Sequence, residues 1–126
     1  MKQPEEPDET ARASWKDGFK TDVSIRDQFN IRVDEVKAVG GTNTGPMPSE
    51  MLLASLASCM CLAVSFAADK RDLDLETLSV TADGFHDPDA FRFKRIAVTV
   101  SSELEQERLS TLLESARNYC YVSNTI

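Results

Sequence analysis

Histidine is almost missing. His86 is the single one in 126 residues. The chain is therefore poorly supplied for the imidazole clusters of a metal centre and for Cys-His or Ser-His-Asp nucleophile systems. Positive charge is short too: 14 Lys and Arg stand against 21 Asp and Glu, a net charge of -7. Nucleic acid and anionic membrane surfaces both call for basic side chains, so neither is expected as a partner. An apolar leader is absent. Residues 1–10 read MKQPEEPDET, acidic with two prolines, and are expected to form a disordered tail ahead of a single domain at residues 11–126. Cysteine is scarce, at three: Cys59, Cys61 and Cys120. Three thiols without a secretion signal point to a reducing compartment, the cytosol, where cysteines do chemistry more often than they staple.

What the chain has is one long apolar run, residues 51–68, reading MLLASLASCMCLAVSFAA, whose polar members are Ser55, Ser58 and Ser65. Its length lies at the lower edge for a membrane-spanning helix. Ala and Ser fill much of it, and Glu50 and Asp69-Lys70-Arg71 crowd its ends, so a buried core helix is expected instead. A helix apolar all round must be covered on every side. In so short a chain that cover calls for a second copy, and the small residues suit close approach of another backbone.

Around this helix the pattern is simple. Ala11, Ala13 and Trp15, then Phe19, Thr21, Val23 and Ile25, then Phe29, Ile31 and Val33 alternate with polar residues. The alternation predicts three antiparallel strands with one wet face, turning at Asp17-Gly18 and at Arg26-Asp27-Gln28. Residues 39–48 are a Gly- and Pro-rich loop ending in Ser49-Glu50, which predicts a helix start with Ser49 as cap. Leu75, Leu78, Val80 and Ala82 predict a fourth strand, residues 84–89 a turn, and residues 91–101 a fifth strand. Ser102-x-x-Glu105 reads as a capping box, and Leu109, Leu112, Leu113 and Ala116 share one face of a second helix ending near Tyr119-Cys120. The expected class is α+β: a meander, a long central helix, a hairpin and a second helix.

Two thiols drawn from two helices are what a thiol peroxidase needs. One thiolate attacks the peroxide oxygen and becomes a sulfenic acid; a second condenses with it to a disulfide. The attacking thiol needs a nearby cation to lower its pKa. Cys59 and Cys61 project about 200° apart on a helix and cannot line one pocket; Cys61 reads as packing. His86 reads as a solvated turn residue, and Trp15, Phe19, Phe66, Phe91 and Phe93 as core or pocket wall.

The run Gly45-Pro46-x-Pro48-x-Glu50-x-Leu52-Leu53-Ala54-Ser55-Leu56-Ala57-Ser58-Cys59 and the later Cys120-x-Val122-Ser123-Asn124-Thr125 resemble the signature of the OsmC/Ohr family. The order of elements matches as well, from about residue 11 onward. The resemblance implies an intertwined homodimer with its central helices buried together. In active members it implies reduction of organic hydroperoxides by a peroxidatic and a resolving cysteine, here Cys59 and Cys120. It also implies a cation from the first hairpin, where Lys16 stands in place of an Arg and Arg26 is the other candidate, and an acid just before the central helix. Glu50 lies one position later than the family's acid, a spacing nearer the OsmC-like branch than Ohr proper. No metal or organic cofactor is implied; an external dithiol reductant is. The competing reading is a non-catalytic dimer that binds a small apolar ligand or senses redox state. Nine residues of helix put Glu50 roughly 13 Å along the axis from Cys59 and about half a turn out of phase. If Glu50 serves that thiol, the expectation is that it does so from the other subunit or across a break in the helix.

Overall fold

The computed structural model describes residues 5–126, and the chain divides into two compact units, Met1–Met51 and Leu52–Ile126. Residues 5–10 of the expected tail are exposed and carry no helix or strand; the rest of it lies outside the described residues.

The first unit is the meander: β1 (Ala11–Asp17), β2 (Lys20–Ile25) and β3 (Phe29–Val33), antiparallel in that order. The period of two fixes the register, setting Ala13 against Val23 and Val23 against Ile31. At the first turn the Trp15 indole N–H donates to the Gly18 carbonyl at 2.9 Å. At the second, Arg26 and Asp27 both have positive φ, 55° and 53°. That region suits Asp and is less favourable for Arg. Among the described residues nothing covers the expected dry face of β1, which is exposed along its whole length, with Trp15 at 71%.

Between β3 and the long helix the backbone closes around one carboxylate. Asp34 is 1% exposed. It accepts hydrogen bonds from the hydroxyls of Thr42 (2.6 Å) and Thr44 (2.7 Å), and from the N–H groups of Glu35 (2.7 Å) and Thr44 (3.1 Å). Its own N–H donates to the Pro46 carbonyl at 3.1 Å. The loop is wound so tightly that a Cβ at Gly41 would run into the Glu35 carbonyl.

The long helix α1 (Pro48–Lys70) starts at the end of the first unit and runs through the second. The second unit adds the antiparallel hairpin β4 (Leu78–His86) and β5 (Phe93–Ser102), α2 (Gln106–Ala116), a 3-10 turn at Arg117–Tyr119, and a short α3 (Tyr121–Thr125). Met60, Ala63, Val64, Ala67 and Ala68 form a stripe along α1 at helical spacing. With Leu112 and Ala116 of α2 and Cys120 they make the core, and Leu78, Val80 and Val100 of the hairpin pack on it. The opposite side of α1 is open. Leu62 is 69% exposed, and Leu52, Ser55, Ser58 and Ser65 are exposed with it. One chain therefore covers one face of a helix whose composition calls for cover on all of them.

Three local expectations are corrected. Gly84 to His86 are not turn but the end of β4. Gly84 is there for packing, since a Cβ would sit 2.5 Å from the Phe93 ring. The turn shrinks to residues 87–92, where Arg92 pairs with Asp87 at 2.6 Å, and exposed His86 stacks on Phe93. The Ser102–Glu105 capping box does not form: Ser102 closes β5 and its hydroxyl accepts from the Leu104 N–H at 3.1 Å. Trp15, Phe19, Phe66 and Phe91 are exposed rather than core.

Candidate functional site

Cys59 packs against the core cluster that contains Cys120. Cys59 lies beside the buried stripe of α1 and is half-buried; Cys120 is 0% exposed and part of that core. The nearness of the Cys59 thiol is one of the influences that lower the Cys120 thiol pKa. Two features bring the later cysteine to the earlier one. The tight 3-10 turn redirects the chain straight after α2. Tyr119 then sets its ring edge-on against Phe66, centroids 4.8 Å apart, with the Lys70 ammonium 5.1 Å and 5.4 Å from the two rings. Phe66 is seven residues beyond Cys59, so it stands on the same side of α1, two turns along.

Cys120 has extended backbone angles, φ −95° and ψ 97°, and caps the N-terminus of α3. Its side chain makes no cap hydrogen bond to that helix. Burial pushes the Cys120 thiol up. The Ser123 hydroxyl and N–H, the Cys59 thiol and the Val122 N–H outweigh that and hold it below its ordinary value. Cys61 is half-buried and has no part in this cluster.

The other residues singled out by the sequence belong to the first unit. Lys16 Nζ lies 3.7 Å from Asp22, and the Arg26 guanidinium sits over the Phe29 ring at 5.2 Å. Glu50 is the third residue of α1 and accepts from the Met47 N–H at 2.9 Å. That is the reach-back bond of a capping box. The helix start is thus made by Met47 and Glu50 with Pro48 at the first helical position, not by Ser49 as cap. α1 has no break between Glu50 and Cys59.

Asp34 escaped the sequence reading, which took it for one more polar residue at the end of the third strand. The Thr42 hydroxyl bond, backed by Thr44 and the N–H groups of Thr44 and Glu35, overcomes burial and holds its carboxyl well below the usual carboxylate range. A buried acid followed by Gly-Gly-Thr-Asn-Thr-Gly was the available signal: hydroxyls and unhindered amides for it to bind.

Solved structures share this architecture. An OsmC-like protein of unknown function from Vibrio cholerae matches with a TM-score of 0.80 at 15% identity, covering 96% of this chain and 94% of that one. An organic hydroperoxide resistance protein from Legionella pneumophila matches with a TM-score of 0.68 at 21% identity, covering 94% and 88%. A protein of Haloferax volcanii is 29% identical over 114 residues, 88% of this chain and 81% of that one. The sequence pattern described as OsmC-like protein matches residues 41–126, the stretch that contains Cys59 and Cys120, and on that match the chain belongs to the OsmC-like family.

Proposed function

We propose that the protein is a thiol-dependent peroxidase that reduces organic hydroperoxides through Cys59 and Cys120. The observation that carries this reading is the shared location of two thiols: half-buried Cys59 packs on the core cluster that includes fully buried Cys120. A peroxide can approach Cys59 and not Cys120, which divides the labour. The Cys59 thiolate attacks the distal peroxide oxygen, the O–O bond breaks, and the alcohol leaves with a proton, giving a sulfenic acid. Cys120 attacks that sulfur, a disulfide forms and water leaves. An external dithiol returns both thiols. The name of the Legionella pneumophila relative supports hydroperoxides as the substrate class.

The working form in this proposal is a cytoplasmic homodimer that covers the open face of α1. Glu50, on the same unbroken helix as Cys59, would serve the thiol of the other copy, with Lys16 or Arg26 as the cation. The competing reading, a dimer that binds an apolar ligand without turnover, is favoured by one fact: Lys16, Arg26 and Glu50 already hold Asp22, Phe29 and Met47. Stopped-flow mixing with cumene hydroperoxide separates the two. Fast disulfide formation in the wild type, abolished in Cys59→Ser, is the expected result. A rate no faster than that of free cysteine would sink the peroxidase.

A further inference from the structure

We infer that Tyr119, Phe66 and Lys70 form a clasp that positions the resolving thiol: the Tyr119 ring pins the turn that carries Cys120 to the side of α1 on which Cys59 stands. The inference rests on the peroxidase reading and adds three positioning residues to it.

The chain between α2 and Cys120 has few other holds. Ala116, which ends α2, and Cys120 are both 0% exposed, and the residues between them, Arg117, Asn118 and Tyr119, are exposed. No side-chain hydrogen bond caps this 3-10 turn. The amide nitrogen of Asn124 reaches the Asn118 carbonyl, but at 3.4 Å, a long bond that ties the turn to α3 and not to α1. Tyr119 makes the tie to α1. Its ring meets the Phe66 ring edge-on at 83°, with centroids 4.8 Å apart, inside the range where aromatic pairs attract. The Lys70 ammonium lies over both rings, 5.1 Å from the centroid of Phe66 and 5.4 Å from that of Tyr119. At that range a cation is drawn to each ring.

The clasp and the peroxidatic thiol share one line of α1. Phe66 and Lys70 follow Cys59 by whole turns, within about 20° of it around the axis, and Phe66 stands roughly 10 Å along that axis. Cys120 is the next residue after the ring held at Phe66, about 3.8 Å of backbone away. Holding Tyr119 there keeps Cys120 in the core against which Cys59 packs. In the resolving step the Cys120 sulfur attacks the sulfur of the Cys59 sulfenic acid. The S–S bond forms, the S–O bond breaks, and the hydroxyl leaves with the Cys120 proton as water. The rate of that step scales with the share of time Cys120 spends in place. Attack of Cys59 on the peroxide needs no second thiol. The clasp therefore acts on the second step and not on the first.

The test uses Cys61→Ser protein, so that two thiols remain, mixed with cumene hydroperoxide. Tyr119→Leu is expected to slow disulfide formation about tenfold, through loss of the aromatic pair and its cation, and to leave sulfenic acid that dimedone traps. Consumption of peroxide should keep its rate. Tyr119→Phe should restore disulfide formation, since the ring and not the hydroxyl makes the contact. Phe66→Leu should slow it alike, and the double variant no further, because both changes remove the same pair. If Tyr119→Leu does not fold, Lys70→Met removes the cation at an exposed position and should slow the step about threefold. Disulfide formation at the wild-type rate in these variants, equal slowing of both steps, or additive losses in the double variant would overturn the inference. Should the wild type form no disulfide, the peroxidase reading fails. Alkylation of buried Cys120 in Cys59→Ser, Cys61→Ser protein then decides the clasp: Tyr119→Leu should speed it about tenfold by opening the turn, and an unchanged rate would sink the clasp too.

Discussion

Asp34 gathers four hydrogen bonds of 3.1 Å or less from Glu35, Thr42 and Thr44 onto one buried carboxylate. Each donor was bound to water in the unfolded chain, and each would lose a partner if the oxygens were removed. Because the folded carboxyl titrates below its unfolded value of about 3.9, its contribution is present above that pH and is lost as pH falls further. The wild type should therefore show a urea midpoint that drops on acidification below about pH 4. Asp34→Asn should be less stable at neutral pH, since an amide group turns two donors toward donors, and its acid limb should be flatter. Parallel acid limbs in the two proteins would show that the carboxylate does not hold the loop. Loop closure passes from Asp34 through Pro46 to Met47, whose N–H fixes Glu50, so the same substitution is expected to loosen the start of α1.

At the level of elements, the strands were legible and their edges were not. Alternating Ala11, Ala13 and Trp15 located β1 by their period of two, although the strand is exposed along its whole length. Nothing local marked Gly84 as strand, since what it accommodates is a ring from Phe93 on the neighbouring strand. The Ser102–Glu105 pattern was a true capping motif in composition, overridden because Ser102 pairs with Leu78 at the end of the hairpin. For α1 the apolar run was clear, whereas the division of its faces was not: Ala and Leu occur on both sides. That open side makes a sharp prediction. In an isolated chain, Leu62→Glu changes an exposed position and should cost no more than about 0.5 kcal/mol. If α1 is covered by a second copy, the same change places a charge in an apolar interface, and the sedimentation coefficient should fall from that of a pair to that of one chain. An unchanged pair would place the interface elsewhere.

At the level of the whole molecule, the composition narrowed the chemistry well. Scarce histidine and the deficit of basic residues turned attention to the thiols, and two of them, far apart in sequence, belong to one core region. What composition could not foresee is that the 3-10 turn after α2 would deliver Cys120 into the core. The two cysteines lie on α1 and just before the last turn of the chain, with the hairpin and α2 between them in sequence. A covalent bond there would enclose roughly 60 residues and deprive the unfolded ensemble of about 4 kcal/mol of loop freedom. Peroxide-treated protein should accordingly melt several degrees above the dithiol-treated form, and Cys120→Ser should erase the gap. Each catalytic cycle would then tighten and relax the fold in step with the oxidant, making thermal resilience a gauge of how much hydroperoxide the protein has met.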